Sequence, residues 1–304
     1  MTPNKRDLKA YVRFDGTGRI VAGSLVLART KPKNGTWKEI EAYECCIPST
    51  SCTEPLILEV APDFGYYEFG FRVYNPNAVA GTIEWGDGTI DTFDLSGNSG
   101  YTYFDHIYST PDEIPQTVKV FFTSVTGFRN LEIGDGSWKT LSVSNIPTVF
   151  AGSSIQQVDA DGSLITSLNV NGLTSLQDLY AGNCPNLAYL NVQGCTGLTN
   201  TELTTGAFET LNFSGCSSLE YAELSGNLNL TNVIIAGCPS INYLSLGGCD
   251  LTVSSVNTIL TTLDANGILS GFVVLSGGTN AAPTGAGLTA KANLLTKGWF
   301  VLTN

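Results

Sequence analysis

Leu187-Ala188-Tyr189-Leu190-Asn191-Val192-Gln193-Gly194-Cys195 and Phe208-Glu209-Thr210-Leu211-Asn212-Phe213-Ser214-Gly215-Cys216 are two copies of one pattern, L-x-x-L-x-[V/A/I/F/L]-x-G-[C/N]. Clear copies begin at Ile165, Leu176, Leu187, Phe208, Leu219, Leu230 and Ile241, at intervals of 11, 11, 21, 11, 11 and 11 residues. The long interval holds a degraded copy at Leu198, and weaker copies run back through Ile155, Ile146, Trp138 and Phe128. Paired half-repeats predict about six coils of roughly 17 to 22 residues. A unit this short buries its apolar triad, such as Leu187, Leu190 and Val192, only against neighbouring coils, so the chain must stack. Gly194 or Gly215 lets the backbone turn, and Cys195, Cys216 or Asn227 sits at the corner. Asn there satisfies backbone groups of the turn, with Cys as a small buried substitute. Cys195, Cys216 and Cys238 therefore read as packing, with neither metal nor disulfide.

The period is that of leucine-rich repeats, which implies a solenoid over 128–251. At 252–304 the period breaks. Val253, Val256, Ile259, Leu260 and Leu263 are spaced as one helix face ended by Gly267. A strand at Phe272-Val273-Val274-Leu275, a helix near 286–297 and a strand at Trp299-Phe300-Val301-Leu302 complete an αβαβ cap over the last apolar layer.

Upstream, 56–127 reads as a β-sandwich. Phe69, Phe71 and Val73 alternate with polar or small residues, as do Val118, Val120 and Phe122. Between these runs lie Ile83-Glu84-Trp85-Gly86-Asp87-Gly88-Thr89 and His106-Ile107-Tyr108. The glycines allow a turn that Asp87 locks through the local backbone while Trp85 faces the core. This pairing of W-G-D-G-T with H-x-Y resembles the PKD family of immunoglobulin-like sandwiches, which implies structural roles for Asp87 and His106. The expected fold is mainly β throughout.

Residues 1–55 form a basic N-terminal β module and linker. Leu8, Ala10, Val12 and Phe14 alternate, Asp15-Gly16-Thr17-Gly18 turns, and strands follow over 20–27 and 37–43. Pro48 to Pro55 reads as the linker. Lys5, Arg6, Lys9, Arg13, Arg19, Arg29, Lys31, Lys33 and Lys38 stand against Asp7 and Asp15 alone, so residues 1–38 carry +7 and the remainder −19. Such asymmetry predicts an anchoring surface for an acidic protein partner. An acidic body repels phosphate, so nucleic acid is not the expected partner. Cys45, Cys46 and Cys52 lack paired metal-ligand spacing.

The search for chemistry is short. His106 is the sole histidine, and motifs for a nucleophile elbow, a phosphate loop, a zinc helix or a dinucleotide loop are absent. Glu84, Asp87, Asp91 and Asp94 crowd one sandwich edge, and Asp159-Ala160-Asp161-Gly162 resembles half a calcium loop without its later ligands. Solvated turns are the expectation, with no catalytic residue, cofactor or metal. A carboxylate-pair glycosidase is the competing enzymatic reading. Outside the core pattern, Asn169/Asn171, Asn191/Gln193 and Asn212/Ser214 repeat one coil apart on one face, and Tyr221 and Tyr243 on the other. Such rows suit a host-surface glycan through hydrogen bonds and ring stacking, or else satisfy one another as scaffold.

Leu263-Asp264-Ala265-Asn266-Gly267, Leu275 to Pro283 and Lys297-Gly298-Trp299 resemble the C-terminal cap of leucine-rich-repeat proteins of tailed phages. The stretches from Leu8 to Phe14 and Trp37 to Ile40 are similar to N-termini of virion proteins from Bacteroidetes phages, the crAss-like group among them. The resemblance implies a head fibre, capsid decoration or tail-associated adhesin, oligomeric as a dimer or trimer and docked on capsid or other virion proteins. The start lacks an apolar targeting segment and no window is long and apolar enough for a membrane helix. A virion-surface location after synthesis in the host cytoplasm fits that reading. A bacterial cell-surface adhesin of the same architecture is the alternative.

Overall fold

The computed structural model describes residues 9–14, 26–28, 36–40, 54–62, 68–74, 80–95, 100–108, 115–133 and 138–304. The chain divides into two compact units, Met1–Thr53 and Glu54–Asn304. In the first, β1 (Lys9–Phe14) lies between β2 (Val26–Ala28) and β3 (Thr36–Ile40), antiparallel to both. Lys9 and Arg13 fall on β1 and Lys38 on β3. Lys5, Arg6, Arg19, Arg29, Lys31 and Lys33, with Cys45, Cys46 and Cys52, lie outside the described residues, as do parts of the strands expected over 20–27 and 37–43.

The second unit begins as two sheets. β4 (Leu56–Pro62), β6 (Ala80–Glu84), β7 (Ile90–Asp94), β9 (Gln116–Phe122) and β11 (Trp138–Ser144) pair in the order β11-β4-β9-β6-β7. β5 (Glu68–Tyr74) and β8 (Tyr101–Ile107) pair antiparallel in the other. Period-2 patterning buries Leu56, Leu58, Val60, Phe69, Phe71, Val73, Val118 and Val120 completely or to within 1%. Trp85 joins them, 1% exposed, its ring edge-on to Phe69 at 6.5 Å.

β10 (Asn130–Glu132) pairs antiparallel with β5 and parallel with β12 (Gln157–Asp159). One sheet of ten strands thus runs on through β14 (Asp178–Tyr180), β16 (Asn200–Glu202), β18 (Tyr221–Glu223) and β20 (Tyr243–Ser245). Beyond the short helix α1 (Ile146–Val149), a second ladder alternates with it. There β13 (Ser167–Asn169) pairs parallel with β15 (Tyr189–Asn191), and β17 (Thr210–Asn212) with β19 (Asn232–Ile234). Gly194 (φ 78°) and Gly215 (φ 84°) turn the chain between ladders through left-handed backbone, which costs glycine little. Starts of the half-repeats from Ile165 to Ile241, Leu198 included, are fully buried.

The chain closes with α2 (Val253–Asn266), β21 (Phe272–Leu275), α3 (Gly285–Thr296) and β22 (Phe300–Thr303). Thr252 accepts the Ser255 N–H at the start of α2, and Gly267 (φ 74°) ends it. β21 and β22 extend the ten-stranded sheet in parallel. Trp299, expected to open the last strand, turns inward instead and donates its indole N–H to Ile268 O at 2.8 Å.

Two readings gain detail from the structure. Trp138 leads a strand shared between the sandwich and the coils, since the Leu164 N–H just before β13 donates to Thr140 O at 2.9 Å. It opens a seven-residue strand paired antiparallel to β4 from Trp138↔Pro62 to Ser144↔Ile57, with a register shift between Thr140 and Ser142. Ile146 likewise opens α1 rather than a half-repeat. The segments expected at 56–127, 128–251 and 252–304 share one unit and one apolar core from Leu56 to Val301. Phe122, Phe128 and Phe150 meet at 4.8 to 5.9 Å across the expected 127/128 boundary.

Candidate functional site

The turn at Trp85–Thr89 is built around Asp87. Its Oδ1 accepts the Thr89 N–H at 2.8 Å and the Thr89 hydroxyl at 2.6 Å, while Oδ2 meets His106 Nε2 at 2.9 Å. The imidazole stacks on Trp85 at 4.9 Å and 13°, and the Tyr108 hydroxyl donates to Trp85 O at 2.8 Å. Burial opposes ionisation of Asp87, but Thr89 and His106 outweigh it and hold the carboxyl down to about 2. Asp91 accepts the Trp85 indole N–H at 2.7 Å.

Inside the coils, each corner thiol is buried and donates to a carbonyl of the preceding coil. Cys184 reaches Ala160 O at 3.1 Å, Cys195 Val170 O at 3.0 Å, Cys216 Val192 O at 3.8 Å, Cys238 Phe213 O at 3.0 Å and Cys249 Leu224 O at 3.5 Å. Burial raises all five thiols, Cys195, Cys238 and Cys249 to about 11 and Cys216 to about 12, so they remain protonated donors at neutral pH. Asn227 fills the same corner more completely. Its amide donates to Leu203 O and Leu224 O at 2.7 Å, and its carbonyl accepts the Gly206 N–H at 2.7 Å.

Asp159 and Asp161 spend their carboxylates on backbone. Asp159 Oδ1 accepts the Asp161 N–H at 3.0 Å, and Asp161 Oδ1 the Gly182 N–H at 2.5 Å. Burial, with the charges of Asp161 and Glu132 adding to it, pushes Asp159 up to about 6. Among the described residues no three His, Cys, Asp or Glu side chains stand together as metal ligands.

Asn169, Asn191 and Asn212 close β13, β15 and β17 and share one face. Each side-chain carbonyl accepts the N–H two residues on, from Asn171 at 3.2 Å, Gln193 at 3.1 Å and Ser214 at 2.9 Å. The row therefore stabilises its own turns, neither neighbour bonding to neighbour nor wholly free for a ligand. Tyr189, which sequence reasoning passed over, stands 56% exposed two residues before Asn191. Its exposed ring interrupts an otherwise polar outward pattern, and that was the available signal.

Tyr221 and Tyr243 lie on the ten-stranded sheet in direct register. Their rings stack at 4.2 Å and 11°, and the stack continues through Phe272 and Phe300 at 5.0 Å each. Both faces of Tyr243 are thus covered by rings, so a sugar stacks only at an end of this ladder. That Phe272 and Phe300 join this stack escaped the sequence reading because α2 and α3 intervene and lengthen the repeat interval. In a parallel row beside the rings, Glu132, Asp159, Tyr180, Glu202 and Glu223 occupy successive strands. Arg72 donates to Glu132 at 2.6 Å and lies over the Tyr101 ring at 5.7 Å.

The fold defines the chain as a mainly β protein with several sheets and a few helices. Compared with family models, with curated proteins and with solved structures, it matches none. No helix among the described residues is long and apolar enough to cross a membrane.

Proposed function

We propose that this chain is a non-enzymatic virion protein of a tailed phage, a head fibre or capsid decoration, that works by binding. In this reading 54–304 is a PKD-like sandwich continued by a leucine-rich-repeat solenoid with an αβαβ cap. The basic N-terminal module anchors it to capsid or other virion proteins, as a dimer or trimer, and the coil faces meet a host-surface glycan. The observation that carries the reading is the two-ladder stack itself. It repeats outward side chains at fixed spacing, while the histidine and the described thiols are engaged within the fold. His106 is bonded to Asp87 and stacked on Trp85, and the described thiols are bonded to carbonyls. Proteomics of purified phage particles, with antibody-labelled particle images, tests it. Detection on the particle surface supports the proposal, whereas presence only on uninfected bacterial cells replaces it with the adhesin alternative.

A further inference from the structure

Beside Asn169 the coil face opens into a shallow cleft of about 500 Å³, between α1 and the turn after β13. Asn145, Pro147, Thr148, Asn169, Asn171 and Gly172 line it, without a charged side chain in a protein of net charge −12. Polar capacity remains unspent there. Asn145 gives its amide to Pro55 O at 2.9 Å, leaving its carbonyl, and Asn169 uses its carbonyl on the Asn171 N–H, leaving its amide. Asn171 makes no side-chain hydrogen bond among the described residues. A Cβ built on Gly172 meets nothing within 4 Å, so the floor opens on free space. Across the next strand, Asn191 is in register with Asn169, and the exposed Tyr189 precedes it.

We infer that this cleft is a subsite for a neutral oligosaccharide, whose chain continues over Asn191 and Tyr189 of the adjacent coil. Vicinal hydroxyls both donate and accept, which matches a mixed set of carboxamides and the Thr148 hydroxyl. The ring of Pro147 suits the apolar face of a pyranose, and Tyr189 offers a ring that stacks on no aromatic among the described residues. An anion or cation finds no counter-charge in the lining. The inference rests on the adhesion reading above and specifies its ligand and place.

The test uses the full chain on an array of neutral hexasaccharides of glucose, galactose, mannose and N-acetylglucosamine, beside anionic hyaluronan and cationic chitosan oligomers. Binding of at least one neutral member is expected, weakened roughly tenfold or more by Asn171→Ala and by Tyr189→Ala and abolished by Thr148→Trp, with unchanged melting temperatures. Binding only of a charged oligomer, or neutral binding that survives Asn171→Ala and Thr148→Trp, overturns the cleft. Host-cell adsorption by the same proteins separates the two ideas. Adsorption intact in Thr148→Trp sinks the cleft and leaves adhesion standing, and no adsorption by the parent protein sinks adhesion.

Discussion

Cys216 and Asn227 hold equivalent corners and differ in what their loss exposes. A thiol bonded to one carbonyl at 3.8 Å is mostly filler, so Cys216→Ala is expected to lower stability by about 1 kcal/mol. Cys216→Asp buries an unpaired charge and should unfold the region. Asn227→Ala strands two buried carbonyls and a part-buried N–H, and about 3 kcal/mol is expected. Denaturant midpoints of the three variants check the order, and a Cys216→Ala loss equal to that of Asn227→Ala would refute the corner account. Asp159 sets a different experiment. Its folded pKa of about 6 stands above the ordinary 3.8, so the native state takes up a proton between those values. Its charge subtracts stability above pH 6, and the loss is relieved as the pH falls from about 6 towards 3.8. Asp159→Asn should therefore stabilise the protein by ~1–2 kcal/mol at pH 7 and flatten its stability between those pH values.

Among elements, the aromatic ladder couples the last coil to the cap. Tyr243 stacks on Tyr221 and Phe272 and donates to Glu223 at 3.1 Å, so Tyr243→Ala should destabilise by roughly 2 kcal/mol. Phe300, half-exposed at the sheet edge and touching one ring of the stack, should cost about half as much. Thermal melts compare them, and equal losses would show that stacking does not carry the difference. The Trp85–Thr89 turn answers to acid. Asp87 has a folded pKa below its unfolded one, so its contribution is present above pH 3.8 and disappears as the pH falls through about 2. The Asp87 side chain is about a quarter exposed, so solvent screens it in part, and Asp87→Ala is expected to remove about 1 kcal/mol at pH 7 and little near pH 2.

For the whole molecule, the charge division predicts how it is mounted. Residues 1–38 carry +7 against −19 elsewhere, and under the virion proposal their deletion should abolish incorporation while 54–304 keeps its melting transition. Charge reversal at Lys31 and Lys33 should weaken docking more at low salt than at high salt. Normal incorporation of the shortened chain would remove the anchoring role. Chelators and reductants should leave the melting temperature unchanged, since the described thiols are bonded to backbone carbonyls rather than to metal or to one another.

The sequence by itself determined the coils and their corners. Each unit repeats one local solution, an inward Leu or Phe, a glycine at positive φ and a small corner residue, and local solutions are written in adjacent residues. It also determined the Asp87 turn, whose partner Thr89 is two residues away, and the helices of the cap, whose stops are Gly267 and Gly298. Tertiary structure alone decided the rest. That Trp138–Ser144 joins β4, and that β10 fuses two expected domains into one sheet, depends on hydrogen-bonding edges contributed by strands about 56 to 87 residues earlier in the chain. The fate of the polar rows was equally hidden. Period places Asn169, Asn191 and Asn212 in line, as it does Tyr221 and Tyr243. Only three-dimensional contact reveals that the amides are half spent on their own turns and the tyrosine faces on each other. Spacing along a chain fixes which residues share a face, while the atoms left free on that face depend on neighbours that spacing does not specify.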